Sequence, residues 1–262
     1  MSGVFVIARR ELAGLFKAPF AWLLLLVVLV LNGMTFRAVL LQSGGNVSAS
    51  LDAVMAGRFF LFWLLLLPPL LAMRLVAEET RTGTLEYLLT APVSDASVVV
   101  GKFIAGLGYL SVMWASALVY AFAMARVGGH PDWPAVFGTY IGAVLLSSVF
   151  VALGILMGTL TGTPLLAAFL GVAACVIWML LPYFGSLLAD LVVPLFADSG
   201  EALASIRLKV DALLANMDAI RHFQRSFQRG VFDSSELVFF MSWTALFLFL
   251  ATRSLEARRW RG

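Results

Sequence analysis

The sequence offers few residues whose types and spacing could do chemistry. Its two histidines, His130 and His222, and its one cysteine, Cys175, are far apart along the chain, so no zinc site built from the standard ligands is expected. A zinc site that also used carboxylates stays open. No Ser/His dyad and no pair of aspartates falls within an apolar run, where ionisable groups are usually kept for function. The residues therefore favour no catalytic site and no metal site, and they argue against a membrane-embedded enzyme.

The one glycine–lysine pair, Gly101-Lys102, does not form a phosphate-binding loop. Such a loop reads G-x-x-x-x-G-K-[ST], because its backbone N–H groups and its lysine hold the phosphates. Here Phe103 follows the lysine, and Ala96 stands where the first glycine is needed. We therefore expect this chain to bind no ATP and no other cofactor, so that any ATP and Mg²⁺ would be held by another polypeptide.

The composition identifies the lipid bilayer as the main solvent. Hydrophobic residues make up 61% of the 262 residues and charged residues 13%, against roughly 25% charged in a soluble domain. The mean hydropathy is +0.97, and the net charge of +3 comes from basic residues scattered between apolar runs. A nucleic-acid partner is not expected, because no basic face is formed.

Six apolar runs are long enough to cross a bilayer as helices, which takes about 20 residues each. No charged residue lies between Asp132 and Asp190, so that stretch holds two spans that turn at Gly158 to Pro164. The predicted spans are 20–41, 59–77, 103–125, 135–157, 165–184 and 237–252. We therefore predict an all-α polytopic membrane protein that forms one domain over residues 1–262.

The distribution of Lys and Arg predicts the orientation, because basic residues in short flanks stay in the cytoplasm. The flanks at one end hold ten of them, and those at the other end hold only Arg37, Arg58 and Arg126. Both termini should thus lie in the cytoplasm of a bacterium, with the chain in its inner membrane. The segment 185–234 should then lie outside.

An amphipathic pattern covers residues 2–18. Its apolar face is formed by Phe5, Ala8, Leu12, Leu15 and Phe16, opposite Arg9, Arg10 and Lys17. We predict a helix in the inner membrane interface. A cytosolic helix packed on a partner protein is the alternative.

A second amphipathic pattern runs from Leu203 to Gly230. Its apolar positions are Ile206, Val210, Leu213, Met217, Ile220, Phe223 and Phe227, with Arg207 and Asp211 among the charges opposite. Asp198 and Glu201 predict its start and Gly230 its end, giving one long external helix. Leu213, Met217, Ile220 and Phe223 are candidate gate residues if the helix is a lid over a path; a helix resting on the outer leaflet is equally compatible. Residues 187–196, interrupted by Asp190 and Pro194, are predicted to be re-entrant or interfacial.

Residues 78–100 join the second and third predicted spans. Gly83 and Pro92 bracket a helix, Thr84 to Thr90, that is too short to be stable alone in water. Its apolar face is formed by Leu85, Leu88 and Leu89, while Glu78, Glu79 and Glu86 supply charge. Ser94 is placed to cap the helix that continues into the third span. The segment must dock on something, and it is joined at both ends to spanning helices.

This segment resembles that of the type-2 ABC exporter permeases, through Glu78-Glu79, Gly83-Thr84-Leu85-Glu86, Leu88-Leu89 and Pro92. The six spans, the N-terminal helix and the external helical segment are similar too. Within this family the chain looks most like the GldF-like permeases associated with gliding motility, through the same segment and through His222-Phe223 and Arg229-Gly230-Val231-Phe232-Asp233.

The resemblance implies a permease subunit that forms a translocation path with a second permease half, either a second copy or a related subunit. Two cytoplasmic ABC ATPase subunits, carrying ATP and Mg²⁺, would drive it. Residues 84–90 would be the coupling helix on the ATPase, with Glu78, Glu79 and Glu86 near the contact; their alternative role is to solvate a loop. An accessory membrane protein similar to GldG is a further implied partner. A membrane anchor for extracytoplasmic machinery, which moves nothing, is the alternative function.

Overall fold

The computed structural model describes residues 3–77, 94–161, 163–196 and 200–259, and all regular structure in these ranges is helical. The helices are α1 (Gly3–Lys17), α2 (Pro19–Gln42), α3 (Val47–Met55), α4 (Arg58–Ala72), α5 (Asp95–Trp114), α6 (Ser116–Arg126), α7 (Trp133–Leu160), α8 (Pro164–Phe196), α9 (Gly200–Ala215), α10 (Ala219–Arg225) and α11 (Ser234–Arg259). A π-helical turn, Met73–Ala77, extends α4, and a 3-10 helix, Phe227–Arg229, follows α10.

Six stretches of these described residues are long and apolar enough to cross a membrane. They are Pro19–Gln42, Val47–Val76, Asp95–Arg126, Trp133–Leu160, Pro164–Val192 and Ser234–Ala257. The predicted all-α fold with six spans is confirmed. The predicted turn between the fourth and fifth spans is also confirmed, because α7 ends at Leu160 and α8 begins at Pro164.

The second and third spans are each built from two helices, which the apolar runs did not predict. The short helix α3 precedes α4, and the Asn46 side chain caps it by accepting a hydrogen bond from the Ala49 N–H at 3.0 Å. Asp52 and Arg58 interrupt the apolar run there, so the sequence concealed α3. The third span breaks at Ala115, between α5 and α6. The predicted cap is confirmed, because Ser94 caps α5 by accepting from the Ser97 N–H at 3.3 Å.

The predicted re-entrant piece at residues 187–196 is wrong, because those residues continue α8 without a break. Asp190 interrupts the apolar run in the sequence. Its side chain is 62% exposed and forms an ion pair with Arg207 at 2.9 Å, so its charge is accommodated on the surface of the helix. Pro194 lies in the last turn of α8, and the helix ends two residues after it.

The single long external helix is also wrong, because the chain breaks between α9 and α10. Asp218 caps α10 by accepting from the Arg221 N–H at 3.0 Å, and this local hydrogen bond competes with a continuous helix. The predicted end at Gly230 is confirmed: its φ of +71° is a left-handed conformation that favours glycine. Asp198, the predicted start, lies outside the described residues.

The face of α1 that packs differs in part from the prediction. Ile7, Ala8 and Leu15 are buried, whereas Phe5 is exposed. The reason is the close approach of α1 to α5: a Cβ atom on Gly101 would stand 2.8 Å from the Cβ of Ile7. Phe5, two residues earlier, points away from this contact. The helix α1 is therefore packed against the third span of its own chain.

The central element is α7, which is buried over most of its length, whereas α2, α8 and α11 expose most of their apolar surface. Neighbours approach α7 closely where it has glycines. A Cβ on Gly154 would stand 2.8 Å from the Cβ of Ala72 in α4, and one on Gly158 would stand 3.2 Å from the Cβ of Val76. The glycines of α7 thus position the end of the second span.

That end is irregular because α4 contains Pro68 and Pro69. A proline inside a helix lacks the backbone N–H and clashes with the preceding turn, so the helix changes its winding there. The π-helical turn Met73–Ala77 begins four residues after Pro69. The described part of the second span therefore ends in carbonyl groups whose hydrogen bonds are not those of a regular α-helix.

Candidate functional site

A buried ionic contact joins three elements next to residues 78–93. The Lys102 Nζ donates to the carbonyl oxygen of Leu75 at 2.5 Å and to the Glu11 Oε1 at 3.3 Å. Leu75 belongs to the π-helical turn, Lys102 to α5 and Glu11 to α1. We refer to these three residues as the Lys102 junction. It fixes the end of the second span, the start of the third span and the N-terminal helix to one another.

The position of Lys102 in α5 explains why the lysine is buried. Val98, Ala105 and Tyr109 lie four residues before it and three and seven residues after it, so they share its helix face, and all three are buried. The Lys102 side chain is itself only 2% exposed. A buried ammonium is costly unless it is paired and hydrogen-bonded. Both conditions are met here, by a carboxylate and by a carbonyl at a helix end, where a positive charge is favoured.

The residues predicted for coupling are Glu78, Glu79, Gly83, Thr84, Leu85, Glu86, Leu88, Leu89 and Pro92, and all of them lie outside the described residues. The structure describes what flanks them. Ala77 ends the π-helical turn before the segment, and Ser94 caps α5 after it. Both flanks belong to elements that the Lys102 junction joins. The lysine was not among the predicted site residues, although its place on an apolar helix face was a usable signal.

The opposite end of the bundle carries a segment that packs tightly on α7. It comprises α10, Ser226, the 3-10 helix and Gly230, and we refer to residues 219–230 as the docked segment. Phe223 and Phe227 are 1% and 0% exposed, and the Phe223 ring stacks on Phe60 with 5.5 Å between centroids. Two glycines of α7 make this contact possible: a Cβ on Gly138 would stand 2.4 Å from the Phe227 carbonyl oxygen, and one on Gly142 2.5 Å from the Phe227 Cβ.

The four predicted gate residues do not form one face. Phe223 is buried in the docked segment and Ile220 is half-buried there, whereas Leu213 lies on α9 and is 63% exposed. Met217 lies in the break between the two helices. The break at residues 216–218 separates the set, because it changes the direction of the chain between Leu213 and Ile220.

The predicted apolar face of α9 is displaced by one residue. Leu214 packs against α8, since a Cβ on Gly185 would stand 2.5 Å from the Leu214 Cδ2. Arg207 lies on the same side: its Nη1 donates to the Ser186 carbonyl oxygen at 2.9 Å, and its Nη2 pairs with Asp190 at 2.9 Å. The sequence pattern had placed Arg207 on the opposite face. The hydrogen-bond acceptors on α8 therefore determine the orientation of α9. The apolar face of a helix in a membrane protein does not have to pack on the protein, because it can contact lipid instead.

This orientation gives a test with matched variants. Leu214→Asp is expected to lower the free energy of unfolding by about 1–3 kcal/mol, because it places a carboxylate against α8. Leu213→Asp, one position earlier, should change it by less than about 0.5 kcal/mol. Unfolding of both variants in the same detergent measures the difference. Equal effects, or a larger effect of Leu213→Asp, would show that the face predicted from the sequence is the one that packs.

His222 is not the ordinary surface residue that its predicted external position suggests. Its Nδ1 lies 2.5 Å from the Glu236 Oε2 at the start of α11, and its Nε2 lies 3.2 Å from the Asn216 carbonyl oxygen. The ring stacks on Phe239 with 4.1 Å between centroids. No sequence spacing brings His222 and Glu236 together, because their contact depends on how the docked segment packs. The other histidine, His130, is exposed.

The described residues hold no group of three or more His, Cys, Asp or Glu side chains placed to bind a metal ion. Cys175 is buried in α8 with its thiol free. The arrangement is that of a helical bundle with an ionic joint at one end and a docked segment at the other.

Comparison with known proteins agrees with this architecture. The family model described as "ABC-2 family transporter protein" matches residues 5–260. No curated protein matches the sequence significantly.

Proposed function

Because the chain belongs to the ABC-2 transporter family and is therefore the permease subunit of an ABC transporter, we propose that it exports its substrate and that a separate polypeptide hydrolyses the ATP. The permease itself is not catalytic. In this proposal two cytoplasmic ABC ATPase subunits, carrying ATP and Mg²⁺, drive two permease halves that enclose the path between them. The second half is a second copy or a related chain.

The observation that carries the proposal is the Lys102 junction. Residues 78–93 connect two spans that are fixed to each other and to α1 by one buried lysine. A displacement of either end of this segment, at Ala77 or at Ser94, would therefore be transmitted to both spans together. Closure of the ATPases on nucleotide would push residues 84–90 and shift the bundle between two arrangements.

The remaining parts of the proposal rest on the sequence. The excess of Lys and Arg in one set of flanks supports cytoplasmic termini in a bacterial inner membrane. The segment from Glu78 to Pro92 and the run from His222 to Asp233 support membership of the GldF-like group and an accessory protein similar to GldG. The external helices would form the outer gate.

Leu88→Asp tests the coupling segment. Each leucine buried on the ATPase contributes roughly 1.5–3 kcal/mol, so a carboxylate at Leu88 should remove most of the ATPase that co-purifies with the tagged chain. Insertion should be unchanged, because residue 88 lies outside the six spans predicted from the sequence. Glu86→Ala should have a smaller effect on assembly, since an exposed ion pair is worth about 0–1 kcal/mol.

The control is Leu208→Asp, the same change on an exposed leucine of α9. It should leave the ATPase bound. If Leu88→Asp kept full ATPase association and full substrate-linked hydrolysis, residues 84–90 would not be the coupling element. A reconstituted complex that hydrolyses ATP without any response to substrate would instead favour the membrane anchor.

A further inference from the structure

The proposed export mechanism makes no use of the buried ionisable pair next to the docked segment. Glu236 is 7% exposed as a residue, and the His222 side chain is 20% exposed. The pair borders a cavity of about 610 Å³, whose lining includes Asn216 and Ser226. The hydroxyl of Ser226 is buried and has no hydrogen-bond partner among the described residues. The pair thus lies where α9, α10 and α11 meet, beside space that these helices do not fill.

Both ring nitrogens of His222 face oxygen atoms. The Asn216 carbonyl can only accept a hydrogen bond, and an ionised Glu236 carboxylate can also only accept. A neutral imidazole has one N–H and one lone pair, so with an ionised Glu236 it satisfies one of these two contacts. Both contacts are hydrogen bonds only when the pair holds one additional proton, either on the imidazole or on the carboxyl group.

Loss of that proton affects the two contacts unequally. A carboxylate is the stronger acceptor, so the remaining ring proton stays on Nδ1 and faces Glu236. The Nε2 lone pair then faces the Asn216 carbonyl oxygen, and the two repel. Asn216 is the first residue after α9. Deprotonation therefore breaks the contact between α9 and the docked segment, and it leaves the contact with α11 intact.

We propose that His222 and Glu236 form a proton-binding site that fastens α9 to the docked segment when it is protonated and releases α9 when it is not. This site does not depend on the proposed export function. It makes the attachment of the external helix respond to the pH of the compartment that contains it. The pair is largely buried, so the additional proton decides whether both contacts of His222 are hydrogen bonds. The pair also borders a cavity through which water can deliver this proton.

The other charged groups around His222 do not explain such a response. They are Asp218 at the N-cap of α10, Arg221 and Arg225 in α10, Arg229 in the 3-10 helix, and Asp233 just before α11, while α7 carries no charged side chain. Hydrogen bonds from Ser235 and the nearby charge of Arg225 hold the pKa of Asp233 below its usual range. Asp233 is therefore ionised throughout the range in which an ordinary histidine titrates.

Hydrogen exchange of the full-length chain in lipid nanodiscs tests the site. At about pH 5.5 the amides of residues 205–217 should exchange about tenfold more slowly than at about pH 8.5, after correction for intrinsic rates, since a charge-assisted hydrogen bond has about this effect. The amides of α7 should show no such difference.

Two variants separate a proton site from a merely structural contact. In Glu236→Gln the amide N–H can donate to the neutral His222 Nδ1, so that Nε2–H donates to Asn216 without an additional proton. This variant should exchange slowly at both pH values. His222→Gln removes the bridging ring and should exchange quickly at both. His130→Gln, at the exposed histidine, should behave like the unmodified chain.

Two results would overturn the proposal. One is an unmodified chain whose exchange in residues 205–217 does not change with pH. The other is a Glu236→Gln variant that exchanges quickly at both pH values, because a structural ion pair would be weakened by that change, whereas the proton site is locked closed by it.

Discussion

Replacing Lys102 with methionine is expected to lower the free energy of unfolding by roughly 3 kcal/mol, the low end of the range for breaking a buried ion pair. Methionine can fill the space of the lysine stem but has no N–H groups. The Leu75 carbonyl and the Glu11 carboxylate would lose this donor. Glu11 keeps 16% exposure, so water compensates it in part. The thermal unfolding midpoint of the purified chain measures the loss.

The same variant should also uncouple ATP hydrolysis from transport. If the Lys102 junction transmits motion from residues 78–93, Lys102→Met should leave ATPase subunits bound while substrate no longer stimulates hydrolysis. Lys17→Met is the matched control, because Lys17 ends α1 and is exposed. It should change neither stability nor stimulation. Unchanged stimulation in Lys102→Met would mean that the junction is only structural.

Gly138→Ala should strain the contact between α7 and the docked segment. The added Cβ would stand 2.4 Å from the Phe227 carbonyl oxygen and 2.9 Å from the Gly230 Cα, and both of these are backbone atoms that cannot move aside by changing a rotamer. Such crowding costs about 1–3 kcal/mol. Full separation would uncover Phe223 and Phe227, whose burial is worth about 1.5–3 kcal/mol each, so the segment should stay docked but open more often. Limited proteolysis after Arg225 and Arg229 should therefore become faster than in the unmodified chain.

The control for this variant is Gly14→Ala in α1, because no atom lies within 4 Å of the position of its Cβ. Alanine is the better helix former by about 0.5–1 kcal/mol, so this change should be neutral or stabilising. Resistance of Gly138→Ala to the protease, at the level of the unmodified chain, would contradict the described contact between α7 and the docked segment.

The spans were predictable because hydrophobicity alone determines them. An uninterrupted apolar run such as 135–157 forms a helix in a bilayer, because a helix satisfies each backbone hydrogen bond within the run itself. The prediction failed where a charge interrupted a run that was nevertheless helical. Asp52 concealed α3, and Asp190 concealed the continuation of α8 through residues 187–196, although an arginine from α9 pairs with it. The partner of a charged residue cannot be known before the fold.

The orientation of α9 was less predictable, for a related reason. In water the apolar face of a helix must be buried, so the pattern gives the packed face. Near a membrane the apolar face can also meet lipid. The hydrogen bonds of Arg207 and the space over Gly185 then determine which side of α9 touches α8, and neither is visible as periodicity.

The Lys102 junction and the pair of His222 and Glu236 could be recognised from the sequence only in part. A lysine among Val98, Ala105 and Tyr109 could have been predicted to be buried, although its partners come from residues far away in the chain. His222 and Glu236 gave no signal at all. The residues predicted for ATPase coupling stay a prediction, since they lie outside the described residues.

The glycines of α7 have one more consequence. Gly138 lies under the docked segment, and Gly154 lies under the second span, about 24 Å away along the same helix. At both glycines the neighbouring element packs directly against the backbone of α7. Neither end of α7 can therefore rotate or shift along its axis without disturbing that contact. If ATPase binding moves one end, thermodynamic linkage requires reciprocity: a ligand that holds the docked segment must change the affinity for the ATPase by the same factor that the ATPase changes the affinity for that ligand. In the orientation proposed above, an external binder would thus act on a cytoplasmic equilibrium without crossing the membrane.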